Sequence, residues 1–109
     1  IPHGLGNAMV LPHILELLKD DASEKLADIA VHCGIGERRE PVPTLVRKLI
    51  DKVWALNDEI GIPRTSEVIR EQDIEALVTA AITEGGSYPS PRFITEDECR
   101  GVLRALRAA

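Results

Sequence analysis

Ile1-Pro2-His3-Gly4-Leu5-Gly6-Asn7-Ala8-Met9-Val10-Leu11-Pro12-His13 opens the chain, and the rest of the sequence is organised around it. The stretch has no initiator Met, no basic n-region and no apolar signal core, so it reads as neither a native start nor a targeting peptide. Its expected setting is the interior of a longer protein, entered just before a histidine. Pro2 pushes Ile1 into extended backbone. His3 and Gly4 are expected in a turn, where Gly4 lets another group approach the main chain closely. From Asn7, a good N-cap, a helix is expected to run through Ala8, Met9, Val10 and Leu11 toward Leu18. Pro12 falls inside that helix, where it deletes one backbone hydrogen bond and favours a bend. Read alone, His3 is a surface or loop histidine, because a metal site needs several donors.

Composition narrows the class. A chain of 109 residues is one domain at most, residues 1–109, and at this size it buries roughly 65% of its unfolded surface. The hydrophobic share of 44% permits a core, which must be aliphatic because Trp, Tyr and Phe occur once each. A net charge of −5 argues against nucleic acid or an anionic membrane as partner. No apolar run reaches the length a bilayer requires. Cys33 and Cys99 lack metal-knuckle spacing and read as free thiols of a reducing, cytoplasmic compartment.

Helical signals fill the remainder. Asp21 or Ser23 can cap a second helix, with Glu24 completing a capping box, and Leu26, Ile29, Ala30 and Cys33 lie on one face before Gly34 stops it. The segment from Gly34 to Pro43, with the charged run Glu37-Arg38-Arg39-Glu40, reads as an exposed connection. In the third helix Pro43 suits the first turn, and Leu45, Val46, Leu49, Ile50, Val53, Trp54 and Asn57 form the buried stripe. Arg47, Lys48, Asp51 and Lys52 take the other side. Gly61 ends this helix and Ile62-Pro63 forbids its continuation. A fourth helix is expected from Glu71 to Ile82 with Ile74, Leu77, Val78 and Ala81 inward, then an extended loop from Glu84 to Phe93. In the last helix Thr95 and Glu98 form a capping box, and Val102, Leu103 and Leu106 are the inward positions. Gly101 is expected to allow close packing there. The fold class is all-α, a compact bundle of about five helices.

No self-contained chemistry stands out. His3 and His13 on one helix would be about 15 Å apart, too far for one ion. His32 and Cys33 are neighbours and cannot chelate as a helical pair. Gly4-Leu5-Gly6 lacks the third glycine and the preceding strand of a dinucleotide fingerprint.

Pro2-His3-Gly4, Gly6-Asn7-Ala8 and Leu11-Pro12-His13 together resemble the metal-proximal signature of the iron-containing (group III) alcohol dehydrogenases. Gly61-Ile62-Pro63-Arg64 followed by Asp73-Ile74 is similar to the same family. Ser90-Pro91-Arg92 stands where the family carries Asn-Pro-Arg. The resemblance implies that His3 is one of three histidines which, with an aspartate, hold a divalent iron; some relatives use zinc or manganese instead. It implies an NAD or NADP cofactor and a small alcohol or aldehyde substrate. Gly4 and Asn7 would support the metal-side turn, and Gly86, Ser87 and Tyr88 would shape the substrate pocket. The missing partner would be the N-terminal nucleotide-binding domain, absent from these residues. On this reading the chain is a C-terminal helical fragment, inactive alone, and it self-associates if its apolar patch is left uncovered. The competing reading is a free-standing helical protein–protein interaction module.

Overall fold

The computed structural model describes residues 3–85, 92 and 94–107, with the backbone alone for His3, Glu84 and Gly85. Five α-helices stand among the described residues: α1 (His3–Leu18), α2 (Ser23–His32), α3 (Val42–Glu59), α4 (Ile74–Gly85) and α5 (Glu96–Leu106). This is the all-α bundle the sequence implies. None of these helices is long and apolar enough to cross a membrane.

The main packing units are α2 against α3 and α4 against α5, with α1 lying between α3 and α5. Leu26, Ala27 and Ala30 of α2 close over Leu45, Val46, Leu49 and Ile50 of α3, and Trp54 packs at the edge of this cluster. In the other half Ile74, Val78 and Leu106 are buried.

Helix α1 departs from expectation at its start. It begins at His3, so His3 and Gly4 are not a turn and Asn7 is an exposed position within the helix rather than its cap. Two glycines in the first turns cost about 1 kcal/mol each relative to Ala. The helix persists because Met9 and Pro12 are buried against the bundle, which outweighs local propensity. Pro12 has no N–H to donate, which deprives the Ala8 carbonyl of its helical partner. Asn57 of α3 supplies the replacement: its Nδ2 donates to the Ala8 oxygen at 2.8 Å.

The start of α2 also differs. Its N-cap is Ala22, without a side-chain cap, because the Asp21 carboxylate accepts from Arg92 Nε at 2.8 Å instead. The buried face of α2 is Leu26, Ala27 and Ala30, whereas Ile29 is 47% exposed and Cys33 is also exposed. Small alanines on that face let α2 approach α3 closely, and this contact rotates Ile29 outward.

Both glycine stops are present. Gly34 has φ +73° and Gly61 φ +86°. The Ile35 and Ile62 amides then donate back to the Ala30 and Asn57 carbonyls at 2.9 and 2.8 Å, closing a Schellman motif at each end.

Before α4, Glu71–Asp73 form a tight 3-10 turn, so the α-helix proper starts at Ile74 and runs to Gly85. Ile74 and Val78 are buried, but Leu77 is 41% exposed and Ala81 is exposed, since α5 packs on one side of α4 only. In α5 the Thr95–Glu98 capping box forms, with Glu98 N donating to Thr95 Oγ1 at 3.1 Å and Thr95 N to Glu98 Oε1 at 3.0 Å. Leu106 is buried while Val102 and Leu103 are half-buried. Gly101 is exposed, and a Cβ there would meet nothing within 4 Å, so it does not serve close packing.

The Asn57→Leu variant keeps the volume and removes the donor to Ala8. Urea unfolding should show a loss of about 1–3 kcal/mol, the cost of leaving a part-buried carbonyl unpaired. A loss below about 0.5 kcal/mol would mean that water satisfies Ala8 equally well.

Candidate functional site

The site residues named from sequence fall in two places. His3, Gly4 and Asn7 lie on the first two turns of α1, His3 being its first residue. His3 and Asn7 are four apart and share one side of the helix by register. Gly4 is exposed, and the space above its Cα is open to 4 Å. Gly86, Ser87 and Tyr88 lie outside the described residues.

The tip of α1 is held from its middle and its far end, along a helix running antiparallel to α3. Ala8 meets Asn57, the His13 ring stands 5.0 Å from Trp54, and Glu16 pairs with Arg47. At the far end Arg92 joins three elements. Its Nη2 donates to the Leu17 carbonyl at 2.9 Å, its Nε to Asp21, and its Nη1 and Nη2 to the two Glu98 oxygens at 2.7 Å each. The carbonyl of Leu17 belongs to the last turn of α1, where no helical N–H follows. Glu98 is the capping-box residue of α5, so one guanidinium ties the end of α1 to the start of α5.

Arg92 and Glu98 are half-buried, and their pairing is strong. Hydrogen bonds from Arg92, then from the Thr95 amide, bring the Glu98 carboxyl down to about 2. Arg92 is raised in return, first by Glu98 and then by Asp21. The sequence names Arg92 only within Ser90-Pro91-Arg92 and gives it no partner, because neither the adjacent proline nor the capping box announces one 71 residues away. Asn57 is similarly hidden, although an amide in an apolar stripe and a proline within a helix are complementary signals.

Among the described residues no group of three His, Cys, Asp or Glu is placed to hold a metal ion. His13 faces Trp54, while His32 and Cys33 are exposed at the end of α2. Burial pushes the half-buried Cys99 thiol up, away from the thiolate a nucleophile or ligand requires. A cavity of about 260 Å³ opens between Lys19, Ser23, Val46, Arg47 and Ile50. It adjoins the C-terminal end of α1, opposite the His3 tip.

These features define a class: an all-helical domain whose first helix starts at a histidine, with no three-ligand metal cluster among its described residues. The chain belongs to the Fe-containing alcohol dehydrogenase family as its C-terminal domain, whose sequence profile matches residues 1–107. It is 33% identical over 99 residues to lactaldehyde reductase of Escherichia coli (strain K12), an alignment covering 89% of this chain and 26% of that protein. Identity to the 1,3-propanediol dehydrogenase of Klebsiella pneumoniae is 32% over 108 residues, covering 95% of this chain and 27% of the relative. The crystal structure of 1,3-propanediol oxidoreductase superposes with a TM-score of 0.86 at 29% identity, over 95% of this chain and 28% of that one. The chain therefore spans about a quarter of the length of the relatives it matches.

Glu98 is depressed from 4.5 to about 2, so its pairing contributes in full above pH 4.5 and is lost as pH falls toward 2. Stability followed by urea unfolding between pH 5 and pH 2 should decline less steeply in Glu98→Gln than in the parent sequence. Parallel slopes would show that the Arg92 junction contributes nothing in solution.

Proposed function

We propose that this chain is the C-terminal, metal-proximal domain of an NAD(P)-dependent dehydrogenase that interconverts a small alcohol and its aldehyde or ketone by hydride transfer. The observation that carries the reading is the family match over residues 1–107 together with His3 at the first position of α1. The relatives' names, a reductase of lactaldehyde and a dehydrogenase of 1,3-propanediol, support short hydroxylated substrates.

His3 offers one imidazole nitrogen to a divalent metal, iron in the first instance and zinc or manganese as alternatives. The other ligands come from upstream of these residues, and the NAD or NADP site from an N-terminal nucleotide-binding domain. When bound, the metal supplies Lewis acidity toward the substrate oxygen. The second nitrogen of His3 needs an acceptor to hold the tautomer. Helix α1 is the mount: Asn57, Trp54 and Arg92 set its position, and a rigid mount keeps a ligand within the tolerance a metal requires. Gly4 leaves room beside that tip, Asn7 supports it one turn on, and Gly86, Ser87 and Tyr88 contribute to the substrate pocket.

The uncovered apolar surface is in keeping with this role. Leu45 and Leu49 of α3 are buried, whereas Leu56, farther along the helix, and Ile60, just past its end, are 44% and 70% exposed. The remainder of the parent enzyme covers that surface. Taken alone, the 109-residue chain leaves it open and turns over no alcohol.

In the full-length parent, His3→Ala should lower bound metal and reduce kcat/KM by on the order of 10²-fold or more, with nucleotide binding retained. Metal analysis, steady-state kinetics and nucleotide titration are the measurements. Full metal content with unchanged kinetics would sink the ligand role, and alcohol oxidation by the isolated chain would sink the domain reading.

A further inference from the structure

Two stretches picked out in the sequence, Leu11-Pro12-His13 and Gly61-Ile62-Pro63-Arg64, converge on Trp54. The His13 and Trp54 rings are 5.0 Å apart between centroids and cross at 87°. The Arg64 guanidinium lies 4.4 Å from the centre of the same indole ring. Asp58 holds Arg64 there, accepting from Nε at 3.1 Å and from Nη2 at 2.7 Å. The remaining charged neighbour of His13 is Glu16 of α1, which is already paired with Arg47 and Lys19.

The contact falls at a mechanically sensitive point. Pro12 breaks the hydrogen-bond ladder of α1, and His13 is the next residue. Above the break α1 is tied to α3 by Asn57, and at the break by His13 on Trp54. A neutral imidazole suits this environment. A charged one meets a ring whose π face is already occupied by a cation, and its neighbouring carboxylate, Glu16, is already shared with Arg47 and Lys19.

We propose that His13 is an acid-released latch, fastening the proline-broken middle of α1 to Trp54 when neutral and letting go when protonated. The direction of its titration agrees: burial, reinforced by Arg64, holds His13 below its ordinary 6.5 despite the opposing pull of Glu16. For a histidine lowered in the folded state, the stabilisation is complete above pH 6.5 and is lost as pH falls through the folded value. Release loosens the helix whose first residue is His3. The latch stands on contacts within this chain and does not depend on the dehydrogenase reading.

Trp54 is the single tryptophan of the chain, so indole fluorescence comes from the one ring that His13, Arg64 and the core edge all touch. The 109-residue chain is titrated from pH 8 to pH 5, with the His13 ring proton followed by NMR in parallel. Both signals should share a midpoint below 6.5. The fluorescence step should vanish in His13→Gln. In Arg64→Gln, which keeps the imidazole, the His13 midpoint should move upward. A parent midpoint at or above 6.5, a fluorescence step surviving in His13→Gln, or an unmoved midpoint in Arg64→Gln overturns the proposal.

Discussion

A proline inside α1 removes a hydrogen-bond donor that the Ala8 carbonyl requires, and a side chain on another helix supplies it. The Asn57 amide reaches Ala8 at 2.8 Å across the α1–α3 contact. A break that would otherwise weaken α1 becomes the place where it is bound most specifically to its neighbour. An apolar residue at position 57 could pack there but could not donate. The start of α1, from His3 to Ala8, depends on this exchange, since Gly4 and Gly6 provide little intrinsic helical stability.

The rest of α1 is secured by groups that differ in chemistry and in sensitivity to solvent. His13 against Trp54 is an aromatic contact, Glu16 with Arg47 an ion pair, and Leu17 with Arg92 a helix-end carbonyl taken by a guanidinium. Surface ion pairs taken singly contribute little. Arg92 differs because it is shared among a carbonyl and two carboxylates, one of which also caps α5. It joins the α1–α3 half of the molecule to the α4–α5 half, which is itself laced by Arg100 with Glu75 and Arg104 with Glu71. For a domain whose proposed task is to hold one metal ligand in place, such cross-bracing is the functional feature. The chemistry belongs at the tip of α1, and the precision comes from what grips its middle and base.

Local signals with a local cause were legible. The Thr95–Glu98 capping box, the left-handed stops at Gly34 and Gly61, the place of Pro43 in the first turn of α3 and the stripe of Leu45, Val46, Leu49 and Ile50 all depend on residues within a few positions of one another. Family membership was equally legible, because it rides on short motifs whose order survives without any coordinates. Where one local signal competed with a distant partner, the reading failed. Asp21 has the chemistry of an N-cap but serves Arg92; Asn7 has it too, yet lies inside a helix that buried Met9 and Pro12 hold together. The inward face of α2 went to Ala27 rather than Ile29, since closeness to α3 decided it and hydrophobicity did not.

By itself, then, the amino-acid order determined that the chain is helical, roughly where each helix stops, and which family it belongs to, for these follow from backbone chemistry and short-range pattern. Only the folded arrangement decided that Asn57 completes Ala8, that His13 and Arg64 share Trp54, and that Arg92 gathers Leu17, Asp21 and Glu98. Each of these joins residues whose meeting depends on how whole helices pack. A polar side chain can satisfy many partners equally well in principle, and packing chooses among them.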